Sequence, residues 1–257
     1  MTDSSKVGQF VWYELMTTDP KGAIAFYSDV VGWKTQPWEN GDYTMWIGSD
    51  GALGGVSALP ERMKKAGTPA HWTSNVLVAD VDATVAKARK LDAKILVEPS
   101  DIPKVGRFAV LADPQGATIS VFAWATPMSA QDTSKPGAFC WNELATTDRD
   151  GAFHFYSTLF GWQKSREFDM GPMGKYLIYG AGGKDLGGIF TKGKDGPPVP
   201  AWVYYIEIAG LDAAVARAKA KGAKVTSGPM EVPGGARVAH LTDPQGVAIA
   251  LHESKKT

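Results

Sequence analysis

Residues 10–33, FVWYELMTTDPKGAIAFYSDVVGW, return at 139–162 as FCWNELATTDRDGAFHFYSTLFGW. The displacement is 129 residues (Asp148 minus Asp19), and half or more of the positions are identical. Such an internal repeat restricts the chain to two copies of one structural unit, because each copy must satisfy the same burial pattern. The echo continues to the end. LGGV (53–56) returns as LGGI (186–189), VDATVAKARKLDAK (81–94) as LDAAVARAKAKGAK (211–224), and GRFAVLADPQGATIS (106–120) as ARVAHLTDPQGVAIA (236–250). The displacement drifts to 133 and returns to 130, which places insertions in loops, notably around Met170–Lys175.

Within each copy the periodicity changes from strand to helix and back. Phe10–Leu15 alternates like a strand. Asp19 then caps a helix whose first position is Pro20, with Ala23, Phe26, Tyr27 and Val30 at helical spacing before Gly32. Short strands are expected near Trp33–Pro37, Tyr43–Gly48 and Leu53–Ala58, giving a βαβββ module, and Pro60–Pro69 reads as a polar loop. A second module starts at His71, with a helix opened by Asp80, a strand at Lys94–Val97, and Arg107–Leu111 and Thr118–Phe122 flanking the DPQG turn. Ala125–Pro136, rich in Pro, Ser and Thr, is the best linker. The sequence therefore predicts an α+β chain of two domains, 8–124 and 137–253, each with two βαβββ modules; 257 residues suffice for two cores.

Composition excludes some partners. Lys+Arg and Asp+Glu are both 27, so neither a nucleic-acid nor a membrane-surface footprint is present. A single cysteine, Cys140, excludes an intramolecular disulfide framework and fits a reducing compartment. The opening MTDSSKVGQF lacks a signal-peptide pattern, and no apolar run reaches membrane-spanning length. A cytoplasmic protein, monomeric or homodimeric, acting on a small molecule is the expectation.

The strand–TTDP–AxxFYxxxxGW opening, the strand ending before ADVDA and the GR-x-A-x-x-x-DPQG-x-x-x-S close resemble the vicinal oxygen chelate superfamily of glyoxalase, bleomycin-resistance and dioxygenase proteins, in its tandem glyoxalase-like form. The resemblance spans nearly the whole chain, twice. It implies that two βαβββ modules pair into a cup-shaped mixed sheet with the site inside the cup. It also implies where metal-dependent members hold their ion: seven residues before the Asp of the TTD turn, seven before the helix-opening Asp80 or its counterpart, and seven after the DPQG Asp. Here those positions are Trp12 and Trp141, Thr73 and Val203, and Ser120 and Ala250. Indole and aliphatic groups do not coordinate and a lone hydroxyl is weak, so no metal is expected there.

Strand alternation places Phe10, Trp12, Glu14 and Met16 on one face, and Phe139, Trp141, Glu143 and Ala145 on its counterpart. His71, Thr73 and Asn75 match Ala201, Val203, Tyr205 and Glu207; Phe108, Val110, Thr118, Ser120 and Phe122 match Val238, His240, Ala248, Ala250 and His252. These cups are aromatic with few polar groups, the usual make-up of a small-molecule pocket. The expected ligand-binding set is Trp12, Trp72, Phe108, Ser120, Trp141, Trp202, Tyr205, His240 and His252. The tryptophans either stack on planar ligands or fill the core. Glu14 and Glu143 are candidate catalytic bases, since desolvation raises a carboxyl's pKa; alternatively each is a structural group that accepts hydrogen bonds from nearby backbone or pairs with Arg107 or Arg237. His240 and His252 join Glu143 in a displaced divalent-metal site or acid–base pair, or His240 is a core or rim histidine and His252 is solvent-exposed. His71 and His154 read as structural, and Cys140 is expected opposite Trp141, against the helix. Two functions follow: a protein binding a hydrophobic or aromatic molecule without a metal, or a lyase- or isomerase-type enzyme using Glu14 or Glu143.

Overall fold

The computed structural model describes residues 6–38, 42–126, 131–194 and 196–255. The first five residues, positions 127–130 of the linker and the last two residues of the SKKT tail lie outside the described residues. The strands of the first half are β1 (Phe10–Thr17), β2 (Lys34–Pro37), β3 (Tyr43–Gly48), β4 (Gly51–Ala58), β5 (His71–Leu77), β6 (Lys94–Ile102), β7 (Gly106–Ala112) and β8 (Thr118–Trp124). Those of the second are β9 (Phe139–Thr146), β10 (Gln163–Asp169), β11 (Lys175–Ala181), β12 (Lys184–Thr191), β13 (Ala201–Glu207), β14 (Lys224–Glu231), β15 (Arg237–Thr242) and β16 (Ala248–Glu253). The helices are α1 (Pro20–Val30), α2 (Glu61–Lys65), α3 (Val81–Lys90), α4 (Arg149–Phe160) and α5 (Leu211–Ala220). Helix α2 occupies the segment expected to be a polar loop. None of the described helices is long and apolar enough to cross a membrane.

Two eight-stranded mixed sheets result, in the orders β2-β3-β4-β1-β5-β8-β7-β6 and β10-β11-β12-β9-β13-β16-β15-β14. Each repeats the βαβββ module twice, as the repeat predicts. The pairs β1–β4 and β5–β8 are parallel, as are β9–β12 and β13–β16, while the outer hairpins are antiparallel. The insertion near Met170 lengthens β10 to seven residues against four in β2 and adds a 3-10 turn at Gly171–Met173.

Local chemistry fixes the helix starts. Asp19, Asp80 and Asp148 accept the backbone N–H of Gly22, Ala83 and Gly151 at 2.9–3.0 Å. The fourth long helix, α5, opens on Gly210 instead, and Glu253 Oε1 accepts the N–H groups of Gly210 and Leu211. Alternation in β1 buries Tyr13, Leu15 and Thr17 and leaves Trp12, Glu14 and Met16 on the other face.

The chain packs as two compact units. One gathers Met1–Val11, Thr73–Ala130 and Asn142–Trp202; the other gathers Trp12–Trp72, Gln131–Trp141 and Val203–Thr257. Each unit thus joins one module from each half. In the second unit, Tyr27 of α1 donates to Asp243 of the second DPQG turn at 2.9 Å, and Trp33 donates to the Gly137 carbonyl at 2.7 Å. Arg217 of α5 caps the end of α1 through the Asp29 and Val30 carbonyls. In the first unit, Tyr156 donates to Asp113 at 2.9 Å and Trp162 to the Gly8 carbonyl at 2.6 Å.

Phe139 and Phe10 depart from the expected face. Phe139 is buried against Tyr13, Trp33 and Trp72, and Phe10 packs on Trp162 and Trp202. Strict alternation does not hold at these strand starts: in β9 Phe139 is buried while Cys140 and Trp141 are both half-buried.

Candidate functional site

The Glu of each repeated opening is held by a tyrosine laid across a glycine. Glu14 pairs in register with Gly55 of β4, and Met45 of β3 pairs with the same glycine. Tyr43, two residues before Met45, crosses the bare Gly55 backbone, and its hydroxyl donates to Glu14 Oε1 at 3.1 Å. A Cβ on Gly55 would collide with the Tyr43 ring, and one on Gly54 with the Tyr13 carbonyl. Trp12 Nε1 donates to the Tyr43 hydroxyl at 2.8 Å, completing a chain of three groups. The second copy repeats this: Glu143 pairs with Gly188, Tyr176 donates to Glu143 Oε2 at 2.7 Å, and a Cβ on Gly188 would strike Tyr176. The glycine pairs are therefore close approaches of tyrosine ring and strand. Burial lifts the Glu14 carboxyl above its ordinary range, against the hydrogen bonds from Tyr43 and Trp12 that lower it. Burial, and next the Glu14 charge, push the Tyr43 phenol up.

Arg107 and Arg237 do not pair with these carboxylates. Arg107 binds Asp82 and Asp101, and Arg237 binds Asp212 and Glu253. Each arginine is spent on the helix that follows β5 or β13, so the expected Glu–Arg pair is replaced by a Glu–Tyr pair. Tyr43 and Tyr176 escaped sequence reasoning. Their signal is an equal offset from the glycine they cross: 55 − 43 and 188 − 176 are both 12.

In the second half, the three positions where the resemblance puts metal ligands form one apolar cluster. Trp141 and Val203 pack against buried Ala250, Tyr205 and Val238, with Val232 alongside. The Tyr205 hydroxyl lies 3.3 Å from His240 Nε2, edge-on to the ring. In the first half, the Trp12 indole is engaged with Tyr43, and Thr73 and Ser120 are buried hydroxyl residues, the Thr73 Oγ1 lacking a protein partner. Neither set offers the imidazole, thiolate or carboxylate groups of an ordinary divalent-ion site. Ser120 pairs with Val110 and Asn75, and Phe108 pairs with Phe122.

Trp72 and Trp202 are core residues. Trp72 Nε1 donates to the Tyr27 hydroxyl at 3.0 Å, among Trp33, Trp46 and Phe139. Trp202 packs against Tyr156, Trp162 and Tyr179. Their aromatic faces pack against these rings, as in the core alternative. His71 bonds the Pro69 carbonyl and His154 is exposed on α4.

His252 does not join His240 and Glu143. Its Nδ1 lies 2.6 Å from Glu207 Oε2, while Ser254 N–H donates to Glu207 Oε1 at 2.9 Å. Burial opposes ionisation of Glu207, yet the His252 and Ser254 bonds outweigh it and hold the carboxyl below its ordinary value. Cys140 packs against the same cluster as Trp141, rather than opposite it, and its Sγ approaches the Tyr205 carbonyl at 3.5 Å. Burial, and then the Glu207 charge, push this thiol up, so it is a poor nucleophile as it stands.

A sequence profile of the Glyoxalase/Bleomycin resistance protein/Dioxygenase superfamily matches residues 9–121 and 139–251. The chain belongs to this superfamily. It is 29% identical over 248 residues to "Putative glyoxylase CFP32" of Mycobacterium tuberculosis, covering 93% of this chain and 92% of that protein. It is 28% identical over 266 residues to "Anthracycline biosynthesis protein DnrV" of Streptomyces peucetius, covering 97% and 94%. Its fold resembles the Mn(II)-bound glyoxalase of Novosphingobium aromaticivorans, with a TM-score of 0.67 at 16% identity over 98% of this chain and 83% of that one. It also resembles 2,2',3-trihydroxybiphenyl 1,2-dioxygenase of Sphingomonas wittichii, with a TM-score of 0.69 at 13% identity over 97% and 90%. At these identities the structural likeness is one of fold.

Proposed function

We propose that this superfamily member binds a small planar aromatic molecule without the superfamily's metal, on the apolar face built by Trp141, Val203, Tyr205 and Ala250. The observation that carries the reading is the conversion of all three second-half ligand positions into one hydrophobic cluster. Partly exposed Trp141 and Val203 supply stacking area, and the Tyr205–His240 pair supplies a polar edge that orients a ligand carbonyl or hydroxyl. A relative named for anthracycline biosynthesis supports a polycyclic aromatic ligand. Anthraquinone-2-sulfonate is a soluble probe of this class. Saturable quenching of tryptophan fluorescence by it, weakened in Trp141→Ala, supports the reading; no saturable quenching refutes it.

A second reading is favoured by the duplicated Glu–Tyr pair. With its carboxyl lifted by burial, Glu14 suits proton abstraction beside a carbonyl; once Glu14 is protonated, the Tyr43 O–H that it now accepts is released to turn to the oxygen that becomes negative. Glu143 and Tyr176 repeat the arrangement. A lyase- or isomerase-type activity of this kind exchanges the carbon-bound protons of hydroxyacetone with D2O, read by NMR. Glu14→Gln with Glu143→Gln is expected to stop the exchange; exchange at the wild-type rate in that variant rules the reading out.

A further inference from the structure

We propose that Cys140, Glu207 and His252 form a binding site for a zinc-class divalent cation, distinct from the positions the superfamily uses for its metal. Among the described residues these three are gathered so that a sulfur, a carboxylate oxygen and a ring nitrogen all lie within 4.8 Å of one another. Thiolate, imidazole and carboxylate are the ligand types that zinc takes, in a tetrahedral set that leaves a fourth position open to water. Zinc–ligand bonds of about 2.0–2.3 Å put ligand atoms roughly 3.3–3.8 Å apart, so closing the site needs only side-chain rotation. The ion enters between His252 Nδ1 and Glu207 Oε2, now 2.6 Å apart, with Cys140 as the third ligand. Ser254 N–H already fixes the other Glu207 oxygen, the outer-shell support that a ligating carboxylate requires. As the sulfur–metal bond forms, the Cys140 proton leaves to solvent; carboxylate and imidazole contribute lone pairs, and nothing is oxidised or reduced.

The internal repeat provides an independent argument. Glu207 faces His252 across β13 and β16, as Leu77 faces Phe122 across β5 and β8. The counterpart of Cys140, at 140 − 129, is Val11. The first copy therefore fills these three places with Val11, Leu77 and Phe122, and the fold stands without polar groups there. Burying the Glu207 carboxylate, with a half-buried thiol and imidazole beside it, instead costs stability. Three coincident replacements, all by metal-ligating types and all converging on one point, are explained by a ligand and not by packing.

The test uses tag-free, chelator-stripped full-length protein titrated with Co(II). The expected result is one Co(II) per chain, with a near-ultraviolet thiolate-to-cobalt band that only Cys140 can give, since the chain has one cysteine. Cys140→Ser is expected to lose the band, and His252→Ala to bind about ten-fold or more weakly. His154→Ala, on an exposed helix position, is expected to bind as wild type. The triple variant Cys140→Val, Glu207→Leu, His252→Phe copies the first half, is expected to fold, and is expected to bind no Co(II). Saturable binding without the band, a band that survives in Cys140→Ser, or binding retained by the folded triple variant would overturn the proposal, as would no binding by the wild type.

Discussion

The Tyr27 hydroxyl donates to Asp243 Oδ2 at 2.9 Å across 216 residues of chain. Tyr156 makes the same bond to Asp113. The FY pair and the DPQG turn, the two motifs that reveal the duplication, are thus partners in space, each half supplying one to the other. The remaining oxygen of each aspartate accepts two backbone N–H groups of its own turn, from Gln245 and Val247 or from Gln115 and Ala117. Burial raises both carboxyls, and each tyrosine offsets part of that cost.

Removing one donor should therefore be felt across the unit. Tyr27→Phe is expected to lower unfolding free energy by about 1–3 kcal/mol, the cost of leaving a buried acceptor short of a donor. Tyr156→Phe should cost a similar amount. Chemical denaturation checks both; a smaller loss for Tyr27→Phe in an Asp243→Asn background than in the wild type supports the pairing, and equal, additive losses contradict it.

Much of this architecture is legible in the sequence, because strand alternation, N-cap aspartates and an internal repeat act locally. Asp19, Asp80 and Asp148 cap helices for the same reason in any context. The repeat even identifies Glu14 and Glu143. What escapes is partnership over long distances. Arg107 and Arg237 are equidistant in sequence logic from several carboxylates, and only the strand register commits them to Asp82 and Asp212. Trp72 and Trp202 look like ligand platforms until Tyr27 and Tyr156 are seen packed on them. Alternation puts Cys140 opposite Trp141, whereas both pack against the cluster of Tyr205, Val238 and Ala250, a contact set by the neighbouring strands.

The glycine beneath each tyrosine predicts a second effect. Gly55→Ala or Gly188→Ala forces a methyl into the ring of Tyr43 or Tyr176. A loss of about 1–3 kcal/mol is expected from overpacking. Gly55→Ala should also separate Tyr43 from Glu14, seen as a shift of the Tyr43 hydroxyl environment in tyrosine absorbance. Unchanged stability in both variants contradicts the close packing.

Glu14 predicts a pH dependence. Burial raises its folded-state pKa above the unfolded value near 4.5, so folding favours the protonated form. Below that value both states hold the proton and nothing is lost. As pH rises, the unfolded chain ionises first, and the wild type loses stability until the raised folded-state value is passed. The melting temperature of Glu14→Gln relative to wild type should thus increase from pH 4 to pH 8. A difference that is flat, or that decreases over this range, contradicts the assignment.

The most direct test is the affinity for anthraquinone-2-sulfonate measured by fluorescence in EDTA and again with added Mn(II). The account predicts the same dissociation constant in both, and about ten-fold or weaker binding in Trp141→Ala, the loss expected of an aromatic anchor. Binding that appears only with Mn(II), or that Trp141→Ala leaves intact, would contradict it.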